Sequence, residues 1–359
     1  MALAKKDHLV GLDIGSQSIK IAEIEHGKSG RVLKNLGIVE IDPEFMEEGA
    51  IQDVQAVADL IKNLFKRLKI KEKKVAISVG GYSIIVKKIN VQSMTEEKLL
   101  ETIHYEAEQY IPFDINDVNL DFQILGENEK NKNQMNVLLV AAKKDLINDY
   151  IDLVTTAGRQ PNIIDVDAFA LQNIFEASYF SPEDTIDDKE GETVALIDIG
   201  AGKTSLNILR GATSLFMRDI SLGCAQISQQ IAAQLDCSLE EAEQIKTGKQ
   251  KNRLPKEQLD DIISLFSAEW TTEVRRAFDF FYSSFGESDI SRIILSGGGA
   301  HVAALREMLS AETEASIETI NPFGNLAINN NRFEPAFLEK IAPQAAIALG
   351  LALRRVDDK

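Results

Sequence analysis

The sequence predicts an α/β protein of two lobes, each built on a strand–turn–strand hairpin. Three observations predict it. A motif occurs twice, as Leu12-Asp13-Ile14-Gly15-Ser16-Gln17-Ser18 near the start and as Ile197-Asp198-Ile199-Gly200-Ala201-Gly202-Lys203-Thr204 mid-chain. Each copy follows a short apolar run and leads into another, the pattern of paired strands. A third segment, Arg292 to Ala300, is a buried-strand signature ending in the glycine triplet Gly297 to Gly299. An amphipathic helix follows it, with Val302, Leu305, Met308 and Leu309 at helical spacing.

Taken in order, residues 9 to about 80 read as hairpin, strand, helix and strand, with Ile51, Val54, Val57, Ala58, Ile61, Leu64, Phe65 and Leu68 lining one helix face. Ile84 to Val91 reads as a strand. Ser93-Met94-Thr95-Glu96 is a capping-box pattern opening a helix through about Tyr110. Strands follow near Asn119 to Leu125 and Met135 to Ala142, then a helix over Lys144 to Ala157 that stops at Gly158. Asp165 to Tyr179 reads as a helix returning to the first lobe. The acidic, Pro182-containing stretch from Ser181 to Gly191 reads as the linker. Residues 222–288 are almost wholly helical by pattern. Ser238 to Glu241 forms another capping box there, and Trp270, Val274, Ala277, Phe278 and Phe281 recur as core rather than as an aromatic binding face. A last helix spans Gln344 to Arg355.

The repeated motif has a chemical reading. Glycine lets a turn bring backbone N–H groups close to an anion, and an aspartate at the strand end can hold water around a hydrated metal. One such turn is ordinarily only a hairpin connection. Two matched copies could grip one metal-bound polyphosphate from both sides, which makes a nucleotide the leading ligand. The strand, glycine-rich turn and helix at Gly297 to Gly299 add free N–H groups and a positive helix end. The chain lacks Gly-x-Gly-x-x-Gly and the P-loop pattern in this context, so neither a dinucleotide fold nor a P-loop is indicated.

These three elements resemble the phosphate 1, phosphate 2 and adenosine motifs of the actin, Hsp70 and sugar-kinase superfamily. Within it the chain closely resembles the PilM family of type IV pilus assembly. The resemblance is carried by the second motif copy and by Tyr110-Ile111-Pro112-Phe113-Asp114, Arg218-Asp219-Ile220-Ser221-Leu222-Gly223 and Glu241-Ala242-Glu243-Gln244-Ile245-Lys246. Leu295 to Ala300, Asn321-Pro322-Phe323 and Ala342 to Arg354 extend it, so it covers essentially the whole chain. It implies an actin-like (ribonuclease H-like) two-lobed ATPase fold with an FtsA-like inserted 1C subdomain. The implied divisions are subdomain 1A at 1–80, 1C at 81–160, a return to 1A and linker at 161–190, and subdomain 2A at 191–221. Subdomain 2B then spans 222–288, 2A resumes at 289–343, and a helix at 344–359 packs on 1A.

Composition is compatible with this. The chain has 359 residues, which suggests two large domains, and 44% hydrophobic residues, enough for substantial cores. Its net charge of −17 disfavours nucleic-acid partners, which need a basic surface. Cys224 and Cys237 make no disulfide framework or metal pattern and read as reduced core thiols. The four histidines, His8, His26, His104 and His301, show no ligand spacing. The N-terminus lacks the apolar run of a signal peptide, and no stretch approaches the ~18–20 apolar residues of a membrane span. The expectation is a cytoplasmic protein without direct membrane insertion.

The resemblance implies ATP and Mg²⁺ as cofactors and assigns roles. Gly15, Ser16, Gln17 and Ser18 would cradle the terminal phosphates from one lobe; Gly200, Ala201, Gly202, Lys203 and Thr204 would do so from the other. Lys203 reads equally well as a phosphate partner or a solvated turn lysine, and Lys20 as a further contact or a surface lysine. Asp13 and Asp198 would orient water around Mg²⁺. Gly297, Gly298, Gly299 and Ala300 would let the adenosine approach backbone, and Glu243 and Lys246, three apart on one helix face, would bind ribose and adenine rather than form an exposed ion pair. A water-positioning group belongs near the start of the helix at Asp165 to Ala168; the resemblance leaves Asp165, Asp167 or neither in that role, so hydrolysis is expected to be slow or absent.

The implied partner is the cytoplasmic N-terminal tail of PilN, docked in a groove between 1A and 1C, with Ile84, Val86, Ile111 and Phe113 as candidate lining. That tail would recruit the protein to the inner membrane. The pilus motor ATPases and the PilO and PilC platform are further candidates. An FtsA-like division filament protein or a type II secretion component is the alternative, although the end Arg354 to Lys359 is too short for the membrane helix of FtsA. A sugar or acetate kinase would need a catalytic base and substrate pocket, and an Hsp70-like chaperone a further domain; no matching motif is found.

Overall fold

The computed structural model describes residues 8–27, 30–47, 49–128, 131–180, 191–250, 254–285, 289–329, 331–356 and 358. Two units are distinguished, one of residues 1–78 with 153–359 and one of residues 79–152. Each is described by itself.

The larger unit begins with the hairpin of β1 (Val10–Ile14) and β2 (Ser18–Gly27), extended antiparallel by β3 (Gly30–Glu40). The short strands β4 (Met46–Glu47) and β5 (Ala50–Ile51) pair beyond it. Helix α1 (Val54–Leu68) crosses to β6 (Lys74–Val79), which runs parallel to β1. The Asp53 carboxylate caps α1 by accepting from Ala56 N–H at 2.9 Å, satisfying a donor that the first turn leaves unpaired. Val57, Ala58, Ile61, Leu64 and Phe65 form its buried stripe, so its apolar periodicity is spent on the sheet it covers.

The smaller unit holds β7 (Ile84–Gln92), α2 (Glu96–Glu108), β8 (Val118–Asn128) and β9 (Asn131–Lys143), and α3 (Lys144–Thr156) leads out of it. Its antiparallel sheet has the order β7-β9-β8. Leu99, Ile103 and Ala107 of α2 pack on Ile89, Val137 and Leu139 of the sheet. The cap of α2 is Thr95, whose hydroxyl accepts from Lys98 N–H, and not Ser93 as the pattern suggested. Ser93 is still bound to the sheet side, its N–H donating to Asn133 O at 2.9 Å.

The chain returns through β10 (Gln160–Val166), which joins the edge of the first sheet beside β6, so α4 (Asp167–Tyr179) starts two residues later than its pattern suggested. Of the linker expected from Ser181 to Gly191, residues 181–190 lie outside the described residues. The second sheet contains β11 (Thr193–Ile199), β12 (Thr204–Arg210) and β13 (Thr213–Ile220). Helices α5 (Ala225–Leu235), α6 (Leu239–Lys246) and α7 (Lys256–Phe285) follow. Strand β14 (Arg292–Ser296), helix α8 (Ala303–Glu312) and strand β15 (Ser316–Thr319) close the second sheet, before β16 (Leu326–Ala327) and α9 (Pro335–Ala352).

The sheets are equivalent. One runs β10-β6-β1-β2-β3-β16 and the other β13-β12-β11-β14-β15, each with an antiparallel three-strand meander whose first strand pairs parallel with a later one. Two segments cross the expected divisions. β16, placed in the second lobe by the implied divisions, pairs with β3 of the first sheet. The last helix begins at Pro335, not Gln344, because Pro343 lies inside it rather than near its start. Helix α9 packs on β1, β2 and α4. A Cβ at Gly350 would lie 1.8 Å from Ala170 O, so glycine is what lets α9 and α4 touch backbone to backbone.

Candidate functional site

The two hairpins close their turns identically. Gly15 N–H donates to Ser18 O at 3.1 Å and Gly200 N–H to Lys203 O at 2.9 Å. Those two glycine donors are therefore used inside the turns and are not free for an anion. The N–H groups of Ser16 and Gln17, and of Ala201 and Gly202, have no acceptor among the described residues, which leaves them as an anion cradle. The turns face each other: a Cβ on Gly202 would lie 3.7 Å from Ser16 Oγ.

The hairpins differ opposite their aspartates. Asp13 pairs across the strands with Lys20, and Asp198 with Ser205. Lys20 Nζ lies 3.1 Å from Asp13 Oδ2, and both side chains are nearly buried. Lys20 is thus not a surface lysine; it serves as the counter-ion of Asp13, with its ammonium 3.2 Å from where a Cβ on Gly15 of the first turn would lie. Burial raises the Asp13 carboxyl above its ordinary range, with Lys20 opposing the shift. Asp198 has no ion-pair partner among the described residues. Burial, and then the neighbouring Asp13 and Asp167 carboxylates, push it up to about 6. A buried carboxylate in that state gains most from an added cation.

Lys203 Nζ lies 3.1 Å from Asp167 Oδ2, 3.1 Å from Asp219 Oδ2 and 3.0 Å from Ser205 Oγ, so it is not a solvated turn lysine. Burial alone would lower its pKa, but Asp167 and Asp219 outweigh it and hold the ammonium above the usual lysine value. The two aspartates at the start of α4 separate cleanly. Asp167 joins Lys203 in the site, whereas Asp165 pairs with Arg354 at 3.5 Å. The Thr204 hydroxyl is also spoken for: fully buried, it donates to Leu222 O at 2.8 Å and accepts from Trp270 Nε1 at 2.9 Å. Thr204 therefore anchors the turn to α7 and offers no hydroxyl to a ligand.

In the glycine triplet the roles divide. Gly297 has φ +80, and a Cβ there would lie 2.4 Å from Ile199 O; a Cβ on Gly299 would lie 2.2 Å from Ile199 Cγ2 and 2.8 Å from Cys224 Sγ. These two glycines are required by packing against the end of β11. Gly298 is the exposed member and the one a ligand can approach. Pro343 O accepts from both Gly297 N–H at 2.9 Å and Ser296 Oγ at 3.0 Å, which ties the triplet to α9.

Glu243 and Lys246 meet at 2.5 Å on α6. The pair is not a free surface pair, since Lys246 Nζ also donates to Cys224 O at 3.0 Å and Ser228 Oγ to Glu243 Oε2 at 2.6 Å. Burial raises the Cys224 thiol to about 11, leaving it inert beside them. In the smaller unit, Ile111 belongs to the buried core and Phe113 packs against that core with Lys143 Nζ 4.4 Å from its ring centre. Ile111 is thus unavailable as groove lining, while Ile84 and Val86 are half-buried on β7. A depression of about 700 Å³ beside α9 is lined by His301, Asn321, Phe323, Lys340 and Pro343, among others, and the aspartates of the turns are not in its lining.

Among the described residues no group of three His, Cys, Asp or Glu side chains is placed to hold a bare metal ion. Asp13 and Asp198 beside free turn N–H groups suit instead a cation that keeps its waters and bridges to a polyanion. Sequence reasoning missed Asp219 and Ser296 as site residues. Asp219 could have been found from strand register, because it stands opposite Ser205 and so beside the second turn. Ser296 immediately precedes the triplet, and its hydroxyl donates to Pro343 O at 3.0 Å beside the buried Asp198.

The family model described as type IV pilus assembly protein PilM matches residues 11–356. The solved PilM–PilN type IV pilus biogenesis complex is similar at 29% identity and a TM-score of 0.86, over 99% of this chain and 100% of that one. The cell division protein FtsA of Bacillus subtilis (strain 168) is 25% identical over 260 residues, 66% of this chain; the match spans 57% of FtsA, little more than half its length. The ethanolamine utilization protein EutJ from Carboxydothermus hydrogenoformans shares the fold at 12% identity and a TM-score of 0.58, over 96% of this chain and 89% of its own.

Proposed function

The chain belongs to the family of type IV pilus assembly proteins PilM, and on that premise we propose that it is an actin-like ATP-binding adaptor for the cytoplasmic N-terminal tail of PilN. The observation that carries the nucleotide half of this reading is the pair of equivalent turns, each with an aspartate at its strand end and unbonded N–H groups at its tip. Ser16, Gln17, Ala201 and Gly202 would hold the terminal phosphates through those N–H groups. Asp198, with Asp13 beside it, would hold Mg²⁺ through its waters. Bound Mg²⁺ would neutralise phosphate charge. Gly298, Glu243 and Lys246 would receive the nucleoside. Asp167, paired with Lys203 in the absence of nucleotide, would be the carboxylate beside the second turn that orients water, with turnover slow or absent.

The partner half rests on family membership and on the similarity to a protein solved together with PilN. The smaller unit supplies suitable chemistry, because its three-stranded sheet ends in β7 and β8 and an extended peptide pairs naturally along a strand edge. Among the described residues no helix is long and apolar enough to cross a membrane, so the tail would also be what brings the protein to the inner membrane. The motor ATPases and the PilO and PilC platform would be reached through that assembly.

Calorimetric titration of the full chain with a synthetic PilN tail tests this, together with hydrogen exchange. One-to-one binding with protection gained in residues 79–152 supports it. No binding, or co-sedimentation with lipid vesicles equally well without the tail, overturns it in favour of an FtsA-like self-anchoring protein.

A further inference from the structure

The Lys203 ammonium has three close partners, two hydrogen-bonded and one an ion pair. Two partners, Asp219 at 3.1 Å and Ser205 at 3.0 Å, sit opposite each other on β13 and β12 of the same sheet, and Ser205 Oγ donates to Asp219 at 2.7 Å. The third partner is different in kind. Asp167, at 3.1 Å, opens α4, the helix that follows β10 of the first sheet. Lys203 itself closes the phosphate turn of the second sheet, where Gly200 N–H is bonded to its carbonyl. A charged contact inside the site therefore links that turn to the head of α4.

We propose that Lys203 is a tether with two alternative partners: without nucleotide it holds Asp167, and on magnesium–nucleotide binding it exchanges Asp167 for a phosphate oxygen while keeping Asp219 and Ser205. The inference rests on the nucleotide reading above and adds its regulation. A lysine ammonium is a compact charge on a flexible stem with freely rotating donors, so the exchange needs only a side-chain movement. A polyphosphate offers denser negative charge than one carboxylate. The swap exchanges one ion pair for another, which gives the ligand the differential contact that any conformational shift requires. Asp167 is then released only when a phosphate is in place, so the start of α4 loosens with occupancy of the turn while Asn207 keeps the helix on β12.

The test is a double-mutant cycle with Lys203→Met, Asp167→Asn and the double variant, measured by urea unfolding without nucleotide and with a saturating non-hydrolysable magnesium–ATP analogue. The expected result is non-additivity of about tenfold in the unfolding constant without nucleotide, falling to near additivity with it. In the wild-type protein, hydrogen exchange of residues 167–170 should speed up on binding while that of 200–204 slows. Equal coupling in both states, additivity without nucleotide, or slowing of both segments together would overturn the tether. Calorimetry on the wild-type protein separates the failures: binding with unchanged coupling rejects the tether alone, and no binding rejects the nucleotide reading and the tether with it.

Discussion

Asp13 and Lys20 meet at 3.1 Å across the first hairpin, whereas the position opposite Asp198 in the second is Ser205. The repeat is thus equivalent in backbone and unequal in charge. One aspartate carries its own cation, and the other lies buried without one among the described residues. An external cation would therefore be expected to benefit Asp198 more than Asp13.

The inequality has a pH signature. The Asp198 pKa is raised from 3.8 to about 6, so the folded protein binds a proton more tightly than the unfolded chain. The group's stabilising contribution is therefore full below about pH 4 and lost as pH rises through 6. Asp198→Asn should be more stable than the wild type at pH 7.5 by roughly 3 kcal/mol at most, taking about 1.4 kcal/mol per unit, and should show no such advantage at pH 4. Urea unfolding at the two pH values checks this; a constant difference between them would remove the charge argument.

The Asp13–Lys20 pair predicts an asymmetric cost. Removing one partner of a buried ion pair leaves an uncompensated charge, at about 3–5 kcal/mol. Lys20→Met should cost in that range, and adding Asp13→Asn should recover much of the loss. A double variant that unfolds as if the two losses simply added would show that the pair is solvated.

The glycine triplet separates packing from binding. Gly299→Ala puts a methyl group 2.2 Å from Ile199 Cγ2 and should lower stability by about 1–3 kcal/mol, as overpacking does. Gly298→Ala meets only the end of the Gln344 side chain at 3.4 Å, so it should fold normally and weaken nucleotide binding. Thermal melts and calorimetry on both variants distinguish the two roles.

Much of this was legible in the sequence, and the reason is periodicity. The hairpins, α1, the helices of 225–285 and the triplet announce themselves through apolar spacing, glycine turns and caps such as Ser238, which accepts from Glu241 N–H as its pattern suggests. Features set by contacts remote in sequence were not legible. Nothing near Thr204 foretells that Trp270 takes its hydroxyl, and nothing near Pro343 foretells that its carbonyl receives Ser296 and Gly297 while the helix runs on through it. Lys20 and Lys203 look alike as turn-adjacent lysines; only strand register and the arrival of α4 assign one to Asp13 and the other to Asp219 and Asp167.

The lone tryptophan offers a direct readout of the second turn. Trp270 is fully buried and bonded to Thr204, immediately after Lys203. Its fluorescence should shift when the turn takes up a phosphate, and Thr204→Val should abolish most of the shift without abolishing binding. An unchanged spectrum at saturation would mean that the turn does not move its anchor.

The central claim is that the paired turns hold a magnesium nucleotide, and titration calorimetry of the full chain with ATP tests it most directly, with Mg²⁺ and with the metal chelated. The account predicts binding that requires Mg²⁺ and that weakens about tenfold or more in folded Asp198→Ala, consistent with the loss of a charged contact worth at least ~1.4 kcal/mol. Equal affinity with and without Mg²⁺, an Asp198→Ala protein that binds as the wild type does, or a folded wild type that takes up no ATP would contradict it.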